Sequence, residues 1–287
     1  MNHMRETRYY QVAGHRFCVS GEAEFFALTG NYEPFATDEG QPLFSLHIGS
    51  GAAPEYAEEL TQEDEGQEIV CGHTADGKPV FDFRANGEEA GWLVCAADYR
   101  TGQLVTTGPY VKMAIDNALM VLFALATADQ HAVLFHAAVV SCQGKAYLFL
   151  GPSGTGKSTH ARLWLRHIEG TELVNDDNPV VGIAGDGAVT VYGSPWSGKT
   201  PCYRNVRYPI GGIVTLSQAP YNKISRLHGI EAYLALVASI SGKRWDARIA
   251  DGLHQTENAL ASSVAVWHLE CRPDEEAARL CNETITP

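Results

Sequence analysis

One eight-residue run, Gly151-Pro-Ser-Gly-Thr-Gly-Lys-Ser158, restricts the fold of this chain more than any other stretch of it. It satisfies the pattern G-x-x-x-x-G-K-[ST] at every position, and its flanks agree. Tyr147–Leu150 runs into it as a strand. Ser158–His167 runs out of it with Ala161, Leu163, Trp164 and Leu165, followed by Ile168, at helical spacing. Glycines at 151, 154 and 156 let backbone N–H groups converge on an anion without Cβ obstruction. A helix that starts at the loop aims the positive end of its dipole at the same point. The Lys157 ammonium is suited to neutralise phosphate charge, and the Ser158 hydroxyl to ligate Mg²⁺. Gly151, Ser153, Gly154, Thr155, Gly156, Lys157, Ser158 and Thr159 are therefore the expected contacts of ATP.

A second stretch, Gly193-Ser-Pro-Trp-Ser-Gly-Lys-Thr200, also fits the pattern. No helical periodicity follows it, and Pro201, Pro209 and Gly211-Gly212 interrupt what comes after. Without a helix behind it such a loop lacks half of its anion site. It reads as a chance match whose loop lines the site, with Lys199 and Arg204 as candidate phosphate contacts and Arg207 close by.

After the helix comes Glu172-Leu-Val-Asn-Asp-Asp177. Leu173 and Val174 read as a short buried strand, which puts Asp176 and Asp177 at its C-terminal end, where α/β sheets gather ligands. Phosphoryl transfer needs a metal ligand and a proton acceptor, and this pair offers both. The sequence does not say which aspartate does which. Only 18 residues separate Lys157 from Asp176, so the acidic strand directly follows the loop helix.

The remaining sequence bounds the setting. Hydrophobic residues make up 45% of the 287, enough for packed cores. A net charge of −13 argues against a nucleic-acid partner, because phosphate backbones are repelled. Seven cysteines with no C-x-x-C spacing point to reduced thiols and a cytoplasmic protein. The longest apolar stretch, Ala118–Ala128, is shorter than the roughly 20 residues a bilayer span needs, so no membrane role is expected. Alternating segments at Arg8–Val12, Arg16–Val19, Leu43–Ile48, Gln67–Gly72, Pro79–Arg84, Gly91–Ala96 and Gln103–Thr107 predict a β-rich module over residues 1–108. The acidic stretch Glu58–Glu68 reads as a solvated loop or exposed helix. Helical spacing begins after Pro109, so the second domain is expected to span 109–287. Within it, Val133–Val140 reads as one strand, Gly212–Leu216 and Val264–Leu269 as two more, and Ile230–Ser239, Glu257–Ser262 and Asp274–Leu280 as helices.

Phe135-His-Ala-Ala-Val139, Gly144-Lys145, Gly151–Ser158 and Leu173-Val-Asn-Asp-Asp177 together resemble the catalytic core of HPr kinase/phosphorylase. That family shares its nucleotide-site design with ATP-dependent phosphoenolpyruvate carboxykinase. The resemblance extends from about Leu134 to the C-terminus and is looser beyond the core. It implies an α/β P-loop fold of that type, a histidine at 136 that orients the catalytic aspartate, metal binding and proton abstraction shared by Asp176 and Asp177, and a homo-oligomer. Thr159 stands where the family usually carries Glu, and there is no clear copy of its Arg-Gly-Leu-Gly signature, so the acceptor stays open. The expected activity is an ATP- and Mg²⁺-dependent kinase acting on a hydroxyl of a small molecule or of a peptide or protein serine. The alternative is a nucleotide-responsive regulatory module that transfers nothing.

Overall fold

Apolar residues at every second position drive the first third of the chain into strands. A computed structural model describes residues 5–64, 66–198 and 200–286. The chain divides into two compact units between Ala126 and Thr127.

The first unit contains β1 (Arg5–Val12), β2 (His15–Glu22), the short α1 (Ala23–Phe26), β3 (Ala36–Thr37), β4 (Phe44–Gly49), β5 (Ala57–Asp64), β6 (Gln67–His73), β7 (Pro79–Ala85), β8 (Glu88–Cys95), β9 (Thr101–Thr106) and α2 (Val111–Thr127). Its strands form one sheet in the order β3-β1-β2-β4-β9-β8-β7-β6-β5. All but the last residue of α2 belong to this unit, although the change in periodicity at Pro109 assigns the helix to the second domain. The reason is packing: the Phe123 ring meets Phe17 and Phe44 edge-on at 6.4 and 6.5 Å, so the apolar face of α2 completes the core over this sheet. The acidic stretch is also different from its expectation. Most of it forms β5 and the start of β6, paired antiparallel, while Glu65 lies outside the described residues. Every β5 side chain is exposed, so backbone pairing holds the strand and no apolar period marks it in the sequence.

The second unit contains β10 (Ala132–Leu134), β11 (Ala137–Cys142), β12 (Lys145–Leu150), α3 (Lys157–His167), β13 (Glu172–Asp177), β14 (Val180–Ile183), β15 (Val189–Tyr192), β16 (Arg207–Gln218), β17 (Lys223–Leu227), α4 (Gly229–Val237), α5 (Ala247–Ser263), β18 (Val266–Cys271) and α6 (Glu275–Ile285). The mixed α/β architecture expected from the sequence is present. β12, β16 and β18 are parallel neighbours, and β11 runs antiparallel between β12 and β13. Tyr147 and Phe149 of β12, Ala138 and Val140 of β11, Val214 and Leu216 of β16, Ala161 and Trp164 of α3, and Ala278 and Cys281 of α6 share one buried core. That core fixes α3 and α6 to one face of the sheet.

Two further elements differ from the expectation, and the first bears on the site. The expected strand Val133–Val140 is broken at Phe135–His136, opposite Asn178–Pro179. Pro179 O still accepts the Phe135 N–H at 3.0 Å, but Pro179 has no N–H to return the bond and continue the ladder. Ser239 and Ile240, after α4, take over the pairing: the His136 N–H donates to Ser239 O at 2.7 Å, and Phe135 bridges Ile240. α5 is also far longer than its apolar signal, starting at Asp246, whose carboxylate accepts from the N–H groups of Arg248 and Ile249. Among the described residues no helix is long and apolar enough to cross a membrane.

Candidate active site

Leu150, the last residue of β12, is the cross-strand partner of Ala137, and Ala137 is the partner of Asp177. The glycine-rich loop and the aspartate pair therefore leave the same edge of the sheet, one strand apart. The loop turns tightly at Pro152, whose carbonyl accepts from both the hydroxyl (2.7 Å) and the N–H (3.2 Å) of Thr155. Gly154 and Gly156 have φ of 81° and 103°, left-handed values that side chains resist. Gly156 is the N-cap of α3 and supplies no side-chain acceptor, so the leading N–H groups of the helix are not met by a capping side chain. That is the arrangement of a helix end suited to an anion. Ser158 and Thr159 occupy its first turn.

Lys157 reaches back across the loop. Its ammonium donates to Gly151 O at 2.8 Å and to Pro152 O at 3.3 Å, and it lies 2.9 Å from His136 Nε2. An ammonium can only donate, so Nε2 accepts and the imidazole proton sits on Nδ1. Nδ1 lies 3.0 Å from Asp177 Oδ1. A hydrogen-bond chain thus runs from Lys157 through a neutral His136 to Asp177. The other Asp177 oxygen accepts from Asn178 Nδ2 at 2.8 Å.

Asp176 has a different environment. Its cross-strand partner is Ala138, which faces the core under α3, so Asp176 is on the α3 side of the sheet and Asp177 on the other. Asp176 is buried, and its Oδ1 has no hydrogen-bond partner in the protein. A buried carboxylate oxygen left bare is costly, and a cation is one of the few things that offsets the cost.

Three residues outside the expected set hold the pair in place. Asn175, fully buried, accepts the Asp177 N–H at 3.0 Å and donates to Ser194 Oγ and to Trp196 O, both at 3.1 Å. Ser194 Oγ donates to Asn178 O at 2.6 Å. The signals in the sequence were Asn on each side of Asp-Asp, which also suits a turn, and the expectation that the 193–200 loop lines the site. The loop that carries Ser194 and Trp196 is the second G-x-x-x-x-G-K-T match. It packs on β13 through the Gly198 N–H, which donates to Asp176 O at 3.1 Å, and through a bridge from Ser197 to Asp177. Pro201–Val206, behind it, is irregular and leads into β16, so no helix completes a second anion site.

Arg204 is not brought to the glycine-rich loop. Its guanidinium is held by Leu173 O and, at 2.7 Å, by Glu172 Oε2, at the opposite end of β13 from the aspartates. That bond to Glu172 also raises its pKa. The Glu172 carboxylate and the Leu173 carbonyl at the start of β13 hold the cation there, and nothing in the spacing of Arg204 reveals them. Arg207 starts β16, away from the end next to the loop. Lys199 lies outside the described residues.

No family model matches the chain, and no curated protein matches it.

Among the described residues no three His, Cys, Asp or Glu side chains are grouped to hold a metal by themselves. Mg²⁺ at a phosphate site does not need such a cage, because one or two protein oxygens suffice beside substrate phosphates and waters. The donor set of Ser158 and Asp176 suits that role, and the bare Asp176 oxygen is the observation that favours it.

Proposed function

We propose that this protein is an ATP- and Mg²⁺-dependent phosphotransferase, acting on a hydroxyl of a small molecule or of a peptide or protein serine, with a core of the HPr kinase and phosphoenolpyruvate carboxykinase type. The observation that supports this most is the chain Lys157–His136–Asp177, which links the phosphate loop to the acidic strand through a histidine from a third strand end. A structural lysine or a simple Asp-Asn turn would not require it.

The roles divide as follows. Backbone N–H groups of the loop and of the α3 N-terminus receive the phosphates. Lys157 exchanges His136 for phosphate oxygens, which frees Nε2. Ser158 and Asp176 are the residues that would hold Mg²⁺, which supplies charge neutralisation at the transferring phosphate. Asp177, held by His136 and Asn178, accepts the proton of the attacking hydroxyl. The Nδ1–H of His136 stabilises that carboxylate and fixes its direction. The seven free thiols suit a reducing cytoplasm, and the resemblance adds a homo-oligomer.

The test is ADP release and product phosphorylation with acceptors fractionated from cell extract. Lys157→Ala and Asp177→Asn are each expected to lower turnover by about a hundredfold or more. Full activity in both variants refutes the assignment. Tight ATP binding with no transfer to any acceptor would favour the regulatory module.

A further inference from the structure

We propose that the end of β16 and the loop after it, Gln218–Asn222, form the nucleoside end of this site, with the Tyr221 ring as the platform on which a purine stacks. This rests on the reading of Gly151–Ser158 as a triphosphate cradle.

Direction comes first. Lys157, His136 and Asp177 mark the side on which the terminal phosphate belongs, and β11 and β13 lie on that side of β12. β16 is the neighbour of β12 on the other side. A triphosphate with its terminal group toward β13 carries its nucleoside toward β16.

Contact comes next. Leu150 is level with Thr215, so β16 continues past the end of β12 alongside the glycine-rich loop. A Cβ on Gly151 would lie 3.3 Å from Leu216 O, and Gln218 Nε2 donates to Gly154 O at 3.2 Å. The connection from β16 to β17 therefore begins against the phosphate loop itself.

The chemistry of that connection then fits a base. Tyr221 is 49% exposed. Its hydroxyl nevertheless donates to Glu270 Oε1 at 2.9 Å, which holds the ring by its edge. Asn222, next to it, donates to Asp274 and Glu276, both at 3.0 Å, and accepts the Arg272 N–H at 2.9 Å. An aromatic face kept in water on an anchored loop has already lost the freedom that ligand binding would otherwise cost. Flat faces of this kind are what nucleobases stack on.

Calorimetry on the full chain with two probes, Mg·ATP and Mg·tripolyphosphate, separates the nucleoside end from the phosphate end. Tyr221→Ala is expected to weaken ATP about tenfold and to leave tripolyphosphate unchanged. Tyr221→Phe keeps the ring and is expected to keep most of the ATP affinity. Lys157→Ala is expected to weaken both probes. Unchanged ATP affinity in Tyr221→Ala, or an equal loss for both probes, overturns the inference while leaving the phosphate site standing. A wild-type chain that binds neither probe removes both.

Discussion

His160 offers a quantitative test of how the helix behind the glycine-rich loop is held. It lies one turn into α3, 2% exposed, with its ring edge-on to Phe149 at 4.7 Å. Trp164 Nε1 donates to its Nε2 at 3.1 Å, so its proton sits on Nδ1, which has no partner. Burial alone pushes its pKa from 6.5 down to about 4. Because the folded value is the lower one, the unfolded chain binds the proton first, and stability falls as pH drops from 6.5 toward 4. One pKa unit is worth about 1.4 kcal/mol. Between pH 7 and pH 5 the folded state then loses roughly 2 kcal/mol through this group, and little more below its folded value. His160→Gln keeps an acceptor for Trp164 and cannot be protonated in this range. Urea unfolding of both proteins at pH 7 and pH 5 gives the difference of differences, in which the other titrating groups cancel. The variant should lose about 2 kcal/mol less than the wild type on acidification. Equal losses would mean that His160 is not buried as a neutral base, and the packing of α3 on β12 would need to be redrawn.

Other substitutions test neighbouring contacts. In Gly198→Ala the new Cβ would lie 2.8 Å from Asp176 O and 3.2 Å from Asp177 Cβ, so the loop must lift from β13. Loss of turnover together with roughly 1–3 kcal/mol of stability is expected, read by kinetics and denaturation. Gly252→Ala would set a Cβ 2.4 Å from Ala128 O, and a similar destabilisation should appear in thermal melts with the glycine-rich loop untouched. Asp274 caps α6 by accepting the Ala277 N–H at 3.0 Å, and that bond holds its carboxyl below the usual range. Asp274→Ala should cost about 1 kcal/mol at neutral pH. The wild-type advantage should fade as acid protonates the carboxylate, as measured by unfolding over pH.

Much of the candidate site's backbone geometry was legible because it is local. The glycine-rich loop needs glycine, lysine and serine at fixed offsets between a strand and a helix, and the sequence shows all of them in order. The aspartate pair was legible for the same reason, as the end of the next apolar strand. The Asn175–Ser194–Trp196 clamp was not, because it joins residues about twenty positions apart that have ordinary polar identities. β5 was missed because a strand with both faces exposed shows no alternation.

The sequence by itself determined the backbone geometry of the loop, the helix behind it and the strand that supplies two carboxylates, since each depends on residues adjacent in the chain. Tertiary structure alone decided the rest. It paired Phe135 with Ile240 and the His136 N–H with Ser239 O where the expected strand breaks, and it brought the imidazole between Lys157 and Asp177. Strand alternation already sends the two aspartates to opposite faces, but the register with β11 decided that Asp176 is the one on the α3 side, and tertiary contacts drew Arg204 away to Glu172. Partners chosen across the sheet depend on where distant segments meet, and no local pattern of residue types encodes that.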